Sequence, residues 1–350
     1  MTHNPIPEDE ISGQTLPPNA ESEALIEAFL TQAGAPGAKL EVEAEEEELP
    51  IEPGHKSGFV ALIGRPNVGK STLVNALVEQ KVAIVSRKPQ TTRTRITGIL
   101  TQPAYQVIFI DTPGIHREPG HKLNKKMIEE AVTAIPDADV ILFVVDVCVS
   151  PREEDKMIAQ LIKEKGTKRP VFFVLNKMDQ LPMERAQENI EGYWALLPEY
   201  AGSLPVSALR GTNVELLREQ LLALMPEGPR YYPSDQITDQ TERQIAAELI
   251  REAALRYTHE EIPHATAILV EEYTERPNGT LYISARIWVE RESQKPILIG
   301  KQGQMLKKIG EASRKELERL IGGKVYLDLW VKVQPKWRDE DTRLRELGFK

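Results

Sequence analysis

The stretch Gly64-Arg65-Pro66-Asn67-Val68-Gly69-Lys70-Ser71 has the complete pattern G-x-x-x-x-G-K-S of a phosphate-binding loop. An apolar run at residues 59–63 precedes it and a helical pattern starting at Thr72 follows, so the order is strand, loop and helix. In this setting the glycines let the backbone wrap an anion, and the helix N-terminus adds partial positive charge. We therefore predict that residues 64–72 bind nucleotide phosphates, with Lys70 on the β- and γ-phosphates and Ser71 on Mg²⁺.

From residue 58 to residue 225, strand-like apolar runs alternate with helical patterns. Such alternation is typical of a doubly wound α/β sheet with helices on both faces, where ligands bind beyond the carboxyl ends of the strands. The predicted strands are 59–63, 96–100, 106–110, 140–145, 171–175 and 204–206, and the predicted helices are 70–79, 124–134, 153–165, 183–197 and 214–225.

The tetrapeptide Asp111-Thr112-Pro113-Gly114 follows the third predicted strand. A carboxylate at this place would hold Mg²⁺ through its water shell, and the Gly114 N–H would meet a γ-phosphate and sense its loss. Alone, the tetrapeptide is an ordinary turn sequence. Its position after a phosphate-binding loop favours a nucleotide site that includes Asp111, Thr112, Pro113 and Gly114.

A second tetrapeptide, Asn176-Lys177-Met178-Asp179, ends the predicted strand 171–175. The Asp179 carboxylate would accept hydrogen bonds from the guanine N1–H and N2–H₂ groups, whereas adenine lacks both donors and would leave it unpaired. Asn176 would hold the base and the neighbouring loops, and the stem of Lys177 would cover the face of the base. Ser207-Ala208 after the last strand offers a backbone N–H to the guanine carbonyl oxygen. These residues predict specificity for guanine nucleotides.

The basic segment 86–95 contains two adjacent threonines. A threonine hydroxyl in a mobile loop could complete the Mg²⁺ shell only when the γ-phosphate is present. We favour Thr92, the residue before Arg93, and keep Thr91 as the second choice. The alternative interpretation of this segment is an exposed, flexible basic loop.

In order, these motifs resemble those of the translation-factor-related class of GTPases. The matching positions are 64–71, Thr92, 111–114, 176–179 and 207–208. The loop Lys88-Pro89-Gln90-Thr91-Thr92-Arg93 and the run Asp111-Thr112-Pro113-Gly114-Ile115-His116 are similar to the Era family in particular. The resemblance implies hydrolysis of GTP to GDP with Lys70, Thr92 and Gly114 in catalytic roles, and Mg²⁺ held by Ser71, Thr92 and Asp111.

Ile115 occupies the position where Ras-like proteins carry a water-orienting glutamine. An apolar side chain cannot orient water by hydrogen bonding. We therefore expect slow intrinsic hydrolysis that a partner or a cation raises. Related GTPases with an asparagine at the position of Asn67 often use K⁺ in place of an arginine finger, and the resemblance thus carries K⁺ as a hypothesis.

The part of the chain after residue 240 predicts a second domain with the order helix, strand, strand, helix, strand. The predicted elements are 241–258, 265–273, 280–290, 305–320 and 324–333, with Asn278-Gly279 as a hairpin turn between the two middle strands. The run Ile299-Gly300-Lys301-Gln302-Gly303 enters the second helix. Together, this order and the Gly-x-x-Gly turn resemble a type II KH domain, which is an α+β fold.

A Gly-x-x-Gly turn brings backbone close to a nucleic-acid backbone, and unstacked bases can be read in the adjacent groove. We therefore predict that single-stranded RNA contacts Ile299, Gly300, Lys301, Gln302, Gly303, Lys307 and Lys308, over an apolar floor at 297–299. Arg314 and Lys315 belong to the same basic cluster. For the lysines, the alternative is a solvated helix face; for the glycines alone, it is a helix cap.

Charge is distributed unevenly along the 350 residues, whose net charge is −9. Residues 1–56 hold 13 acidic side chains and 2 lysines, so the rest of the chain is close to neutral. Such an acidic, Pro- and Gly-rich segment is predicted to be a solvated, disordered tail. The single cysteine, Cys148, suits a reducing cytoplasm, and its apolar surroundings favour a buried small residue over a nucleophile.

The predicted organisation is a tail at 1–56, a GTPase domain at 57–228, a linker at 229–240 and a KH domain at 241–350. The resemblance implies a cytoplasmic, monomeric GTPase that assists assembly of the small (30S) ribosomal subunit by binding single-stranded 16S rRNA near its 3′ end. Two alternatives stay open. One is a regulatory GTPase associated peripherally with the inner face of the cell membrane, and the other is a constitutive RNA binder whose nucleotide site is structural.

Overall fold

The computed structural model of the protein describes residues 49–86, 88–116, 120–166 and 168–349. The predicted tail therefore lies outside the described residues except for its end. Residues 49–56 are already part of the first domain, because the Glu52 N–H donates to the Pro103 carbonyl (3.1 Å) and Lys56 begins the first strand. The predicted domain boundary at residue 57 is thus a few residues too late.

Six strands form one sheet in the first domain, in the order β2-β3-β1-β4-β5-β6. Their bounds are β1 (Lys56–Ile63), β2 (Ile96–Gln102), β3 (Tyr105–Asp111), β4 (Val140–Asp146), β5 (Val171–Asn176) and β6 (Gly202–Val206). All neighbours are parallel except β2 and β3, because a connection of only two residues joins them and a parallel pair needs a long crossover. The antiparallel edge strand was not predicted.

Five helices cover the two faces of this sheet, as the alternating pattern predicts. They are α1 (Lys70–Val78), α2 (Lys122–Asp137), α3 (Glu153–Lys165), α4 (Ala186–Trp194) and α5 (Val214–Leu224). Alternate residues of β4 enter the two cores: Val140 and Leu142 pack under α1 and α5, and Ile141 and Phe143 pack under α2 and α3. A sheet buried on both faces leaves its strand ends as the place for a ligand.

The second domain has a three-stranded sheet with the order β7-β8-β9. Its strands are β7 (Ala267–Glu275), β8 (Leu281–Val289) and β9 (Val325–Val333), and its helices are α6 (Glu242–Tyr257), α7 (Ile262–Ala265), α8 (Lys295–Ile299), α9 (Gln304–Ile321) and α10 (Asp341–Glu346). β7 is antiparallel to β8, and β8 is parallel to β9. The helices α7, α8 and α10 were not predicted, because each is six residues or shorter. None of the helices in the described ranges is long and apolar enough to cross a membrane.

The segment between the two domains packs along the edge strand β2. The Ile99 N–H donates to the Ile237 carbonyl (2.8 Å), and the Thr97 hydroxyl donates to the Asp239 carboxylate (2.9 Å). The Gln106 side chain is held in the same way by Tyr231 and Tyr232 backbone groups. The residues of the predicted linker at 229–240 are therefore packed against the first domain and fix the second domain beside it.

Trp337 is expected to be a main support of the second domain. Its side chain is fully buried and its indole N–H donates to the Ala265 carbonyl at 2.9 Å. We expect Trp337→Ala to lower the free energy of unfolding by about 3–5 kcal/mol, since it leaves a cavity and an unpaired carbonyl. Urea unfolding of the full chain, followed by circular dichroism, measures the loss.

The matched control is Trp330→Ala, since Trp330 is 63% exposed. Its cost should stay below about 1 kcal/mol, as for most surface substitutions. Equal losses for the two variants would contradict this account of the core.

Candidate functional site

The phosphate-binding loop connects β1 to α1 at the carboxyl edge of the sheet. Gly69 has φ +101°, and a Cβ there would lie 2.3 Å from the Asn176 amide nitrogen, so the position requires glycine. The Lys70 ammonium donates to the Gly64 and Arg65 carbonyls, both at 3.0 Å. Burial lowers the pKa of Lys70 to about 8, although the nearby Asp111 carboxylate acts in the opposite direction. The loop therefore holds its cation inside the curve that the backbone forms.

Three predicted metal-binding side chains meet at one point of this edge. The Ser71 hydroxyl donates to the Asp111 carboxylate at 2.6 Å, and the Thr92 hydroxyl donates to the same oxygen at 3.1 Å. The two hydroxyl oxygens are 2.8 Å apart. Residues that are 40 positions apart in sequence thus form one oxygen cluster.

The oxygen cluster suits a small, hard cation. Its donors are two hydroxyls and one carboxylate, the ligand types that Mg²⁺ prefers. The second oxygen of Asp111 is buried and has no hydrogen-bond partner in the described part of the chain. Burial also raises the pKa of Asp111, an effect that a bound cation would reverse. These observations fit a magnesium site made by Ser71, Thr92 and Asp111.

The two adjacent threonines differ in what their side chains contact. The Thr91 hydroxyl donates to the Lys88 carbonyl at 2.7 Å, within its own loop, whereas the Thr92 hydroxyl points to Asp111. The Thr91 carbonyl accepts a hydrogen bond from Arg251 of α6. The geometry thus favours Thr92 over Thr91 as a metal ligand, in agreement with the preference from sequence.

Gly114 packs directly on the phosphate-binding loop. A Cβ at this position would lie 2.5 Å from the Pro66 nitrogen, so a larger residue would displace one of the two loops. The side chain of Ile115 is fully buried among the residues under α2, and it points away from the phosphate-binding loop's ligand face into that core. Ile115 is therefore a core residue of the first domain.

The predicted base-binding residues are also brought together. The Asn176 amide donates to the Val68 carbonyl (2.7 Å), and its oxygen accepts from the Ala208 N–H (3.0 Å), so Asn176 ties two loops together. The Ser207 hydroxyl donates to the Asp179 carboxylate at 2.7 Å, which keeps the pKa of Asp179 below its ordinary value. The carboxylate is therefore charged and held in place.

Two side chains near the base-binding loop were missed or misjudged. Asp146, at the end of β4, pairs with the Lys177 ammonium at 2.6 Å and fixes the stem of Lys177. The sequence signal that could have identified Asp146 is a carboxylate at the end of a buried strand. Cys148 is only half-buried and contacts the Lys177 carbonyl at 3.3 Å, since it follows β4 rather than lying in it. Burial and the nearby Asp146 raise the pKa of Cys148 to about 11, so the thiol is not a nucleophile.

Arg65 does not point its side chain toward a ligand. Its guanidinium forms a buried ion pair with Asp155 at 2.7 Å, at the start of α3. Within the phosphate-binding loop, only the backbone of Arg65 faces Lys70. Only the backbone atoms of Arg65, and not its side chain, therefore belong to the predicted phosphate site.

A groove of about 440 Å³ lies between α9 and β9 in the second domain. Gly303 is at its rim, and its apolar floor includes Leu306, Leu327 and Leu329. Its charged walls carry Lys307, Arg314 and Glu311, of which Lys307 and Glu311 approach each other at 3.9 Å. The predicted residues Lys307 and Gly303 thus border a groove with an apolar floor.

The predicted apolar floor at 297–299 is wrong. Leu298 is fully buried in the core below the sheet, and Ile297 is 48% exposed on the other side of the short helix α8. The groove floor comes instead from α9 and β9, and no pattern within the sequence of β9 alone indicates this. Lys308 also faces away: its ammonium lies over the Tyr257 ring, 4.4 Å from the centroid.

The Gly-x-x-Gly turn has the backbone that only glycines adopt readily. Gly300 and Gly303 have φ +73° and +78°, and a Cβ on Gly300 would lie 2.6 Å from Met305 Cβ. Lys301 and Gln302 are exposed between them. Ile299 is half-buried beside the turn. The turn therefore presents two polar side chains and open backbone to solvent.

The segment 81–95 links the nucleotide site to the second domain, which sequence reasoning did not detect. The Arg93 guanidinium is buried and donates to the Thr266 (2.7 Å), Pro263 (3.2 Å) and His264 (3.3 Å) carbonyls. The Lys81 ammonium contacts Glu252 (2.6 Å) on α6. Thr92 therefore sits between the oxygen cluster and a stretch of chain that is bound to the second domain.

The fold and the site define a guanine-nucleotide-binding P-loop protein that carries a second, KH-like domain. The family model described as "50S ribosome-binding GTPase" matches residues 59–177, and the KH domain model matches residues 261–338. GTPase Era of Clostridium botulinum (strain Kyoto) is 48% identical over 295 residues, which are 84% of this chain and 98% of that protein. The chain belongs to the Era family of GTPases, and this confirms the resemblance seen in the sequence.

Relatives from other bacteria and solved structures agree with this assignment. GTPase Era of Heliobacterium modesticaldum is 48% identical over 294 residues, covering 84% of this chain and 97% of that protein. A crystal structure of Era in complex with MgGDPNP and nucleotides 1506–1542 of 16S ribosomal RNA is 40% identical, with a TM-score of 0.80, over 84% of this chain and 99% of that one. A variant of Aquifex aeolicus Era bound to GDP·AlF4⁻ is 40% identical with a TM-score of 0.79 over the same shares. Both the GTPase fold and the KH domain are thereby confirmed.

The adjacent threonines provide a matched pair of substitutions. Thr92→Ala removes a hydroxyl from the oxygen cluster, so we expect it to weaken the Mg²⁺-dependent preference for GTP over GDP by about tenfold or more. Thr91→Ala removes only a hydrogen bond within the loop and should leave that preference within about threefold. Titration of fluorescent GTP and GDP analogues, with and without Mg²⁺, measures both. Equal losses for the two variants would show that the hydroxyl of Thr92 has no special role.

Proposed function

We propose that the protein binds and hydrolyses GTP and binds single-stranded RNA near the 3′ end of 16S rRNA, and that it thereby assists assembly of the small (30S) ribosomal subunit. One observation carries the proposal. The segment that brings Thr92 to the Ser71–Asp111 oxygen cluster is the same segment whose neighbouring residues bind the KH domain. A nucleotide-dependent change at Thr92 is therefore transmitted to the RNA-binding domain.

The residues of the first domain have separate tasks in nucleotide binding. Lys70 and the loop N–H groups hold the phosphates, and Asp179 with the Ala208 N–H reads the base as guanine. Ser71, Thr92 and Asp111 would hold Mg²⁺, which would supply positive charge against the phosphates. Gly114 packs against Pro66, and its N–H would meet the γ-phosphate. Among these residues, Lys70, Thr92 and Gly114 take the catalytic roles.

Hydrolysis is expected to be slow without a partner or a cation. Because Ile115 is buried, the chain supplies no hydrogen-bonding group where other GTPases orient water. A K⁺ ion near Asn67 stays a prediction that rests on the family resemblance. Replacing K⁺ by Na⁺ in a GTPase assay tests it directly.

On the RNA side, the proposal uses the groove between α9 and β9. Single-stranded RNA is favoured over duplex, because only unstacked bases can enter such a groove and be read on their edges. The related Era crystal structure contains a fragment of 16S rRNA, which favours the small subunit as the partner. The GTPase family model, by contrast, is described as a 50S ribosome-binding GTPase. We give more weight to the structure, since it matches 84% of the chain, whereas the family model matches 119 residues of one domain only.

The membrane-associated alternative has no support from the described residues beyond the general family expectation. A cytoplasmic, monomeric protein stays the prediction from sequence. Sedimentation with liposomes, with and without RNA, would distinguish a peripheral membrane protein from an RNA-bound one.

Crosslinking of RNA in cells, followed by sequencing, tests the RNA target. Gly303→Asp places a carboxylate at the rim of the groove, where the added side chain meets open space. We expect reads near the 3′ end of 16S rRNA for the unchanged protein and at least a tenfold loss for the variant, because the carboxylate repels phosphates.

Gly322→Asp is the matched control for this experiment. Gly322 has φ +72° and open space around it, like Gly303, but it caps the opposite end of α9. The Gly322→Asp variant has the same backbone strain as Gly303→Asp but lies away from the groove, so its crosslinked RNA reads should match those of the unchanged protein. Reads scattered over other RNAs, or equal losses in both variants, would contradict the proposed target.

Coupling between nucleotide and RNA can be tested through Lys88. Its ammonium donates to the Leu255 and Thr258 carbonyls at the end of α6. We expect RNA affinity to differ between the GDP and GTP-analogue states, and Lys88→Ala to reduce that difference by about 3- to 10-fold. Lys88→Arg, which keeps the donors, should retain it. RNA affinity that is equal with GDP and a GTP analogue in the unchanged protein would instead favour the constitutive RNA binder.

A further inference from the structure

The N-terminal end of α2, the helix that follows Gly114 in the sequence, lacks the residues that usually begin a helix. Its N-cap is His121, whose side chain makes no capping hydrogen bond, and its first five residues include three lysines and no carboxylate. The first N–H groups of a helix need acceptors, and positive side chains beside them are unfavourable. The beginning of α2 therefore depends on a partner from elsewhere in the chain.

That partner is Asp339 of the second domain. One oxygen of its carboxylate accepts a hydrogen bond from the Lys122 backbone N–H at 3.0 Å, and the other accepts one from the His121 ring nitrogen Nδ1 at 2.8 Å. Partial burial alone would raise the pKa of Asp339, but the hydrogen bonds from Lys122 and His121 hold that pKa below its ordinary value. A charged carboxylate that is 217 positions away in the sequence thus caps the helix.

Asp339 is itself held in place by the two residues before it. The Trp337 indole N–H donates to the Ala265 carbonyl at 2.9 Å, and Arg338 forms an ion pair with Glu290, which directly follows β8. Both contacts lie within the second domain, so the carboxylate is presented to α2 from a fixed position. A side chain that is already oriented loses little freedom when it forms its hydrogen bonds.

The two halves of α2 pack into different cores. Leu123 and Met127 are fully buried in a cluster with side chains from the C-terminal end of the second domain, which are Trp337, Leu344 and Phe349. Further along α2, the buried side chains at positions 131, 134 and 135 pack under the sheet of the first domain instead. The second domain therefore fixes the beginning of α2, and the first domain fixes its end.

The beginning of α2 is also connected to the nucleotide site. Seven residues separate Lys122 from Gly114, the proposed contact of the γ-phosphate. In addition, the Gln90 amide donates to the Asn124 side-chain oxygen at 3.3 Å, and Gln90 lies two positions before Thr92. The first turn of α2 thus adjoins both loops that are proposed to meet the γ-phosphate and its cation.

We propose that Asp339 is a positioning residue for GTP hydrolysis: by capping α2 from the second domain, it helps to place Gly114 where its N–H meets the γ-phosphate. The attraction between the charges of Asp339 and His121 contributes little, because the two side chains are 40% and 37% exposed. The effect comes from the position of the cap. This inference rests on the catalytic role of Gly114 in the proposed function, and it extends the GTPase site to a residue of the KH domain.

Single-turnover hydrolysis of GTP by the full chain tests the proposal. Asp339→Ala removes both acceptor oxygens, and we expect the rate constant to fall by about 3- to 30-fold, which is the range for a lost N-cap acceptor. The GTP concentration at half the maximal rate and the Kd of GDP should stay within about twofold, because the phosphate-binding loop and the base-binding residues are unchanged.

Two further variants separate the cap from its surroundings. Asp339→Asn keeps a side-chain oxygen that can accept the Lys122 N–H, so its rate constant should return to within about threefold of that of the unchanged protein. Asp341→Ala is the matched control, because Asp341 pairs with the Lys122 ammonium at 2.7 Å rather than with its backbone. Both side chains of that pair are about half exposed, so its loss should leave the rate unchanged.

Hydrogen exchange of the backbone amides at residues 120–127 reports the cap directly. Exchange should become faster in Asp339→Ala and stay as in the unchanged protein in Asp341→Ala, because only the first variant frees a helix N–H. A merely structural cap would give faster exchange in Asp339→Ala with an unchanged rate of hydrolysis. That result would overturn the inference.

Gly114→Ala tests the part of the proposed function on which the inference rests. A Cβ there would lie 2.5 Å from the Pro66 nitrogen, so the two loops would have to separate and hydrolysis should slow by at least about tenfold. If Gly114→Ala hydrolyses GTP like the unchanged protein, the proposed role of Gly114 fails and the inference fails with it. If Gly114→Ala is slow but Asp339→Ala is not, the inference alone is overturned.

Discussion

The buried Asp111 carboxylate is the interaction on which the nucleotide site depends. It ends β3, a strand held on both sides by β1 and β2, so its position is fixed by the sheet rather than by a loop. The same oxygen accepts hydrogen bonds from Ser71 and Thr92, one on the phosphate-binding loop and one on the segment 81–95. A charge with no access to water is costly unless it has such partners. Because its other oxygen has none among the described residues, the cluster is most stable with a cation present.

A second buried charge, that of Arg93, ties the chain next to Thr92 to the KH domain. The buried Arg93 guanidinium donates to three carbonyls of the KH domain and lies over the Trp337 ring, 5.6 Å from its centroid. Burial, with the neighbouring Arg251 second, lowers the pKa of Arg93 to about 9. Removing it from those carbonyls while it stays buried would leave the charge without partners. Thr92, the residue before Arg93, therefore lies next to a buried contact with the KH domain.

The nucleotide motifs could be recognised in the sequence because each depends on local chemistry. A glycine where the backbone must curve, or a carboxylate at the end of a buried strand, is visible without knowing what surrounds it. Thr92 could be preferred over Thr91 in the same way. The sequence could not predict the contacts of Arg93, Arg251 and Glu252, because these join residues 160 to 173 positions apart through backbone carbonyl and N–H groups that carry no sequence signal.

The floor of the groove is a feature that sequence patterns did not predict. Its two glycines were found because their backbone is unusual, but its floor was assigned to the apolar run next to them. In the structure that run forms α8, whose apolar side enters the core, while β9 supplies the floor as the edge strand of the sheet. Which strand lies at an edge depends on the order of the sheet, and apolar alternation within one strand does not reveal it.

The helix α6 provides the physical route between the two sites. On one side it holds the segment 81–95, through Arg251 on the Thr91 carbonyl and Glu252 on the Val85 N–H. On its other side it packs against α9, where Ile250 and Ile309 share one core and Tyr257 lies under Lys308. The N-terminus of α9 carries the Gly-x-x-Gly turn. Under the proposed coupling, a shift of the chain around Thr92 would therefore act on the proposed RNA groove through the contacts that α6 makes on its two sides.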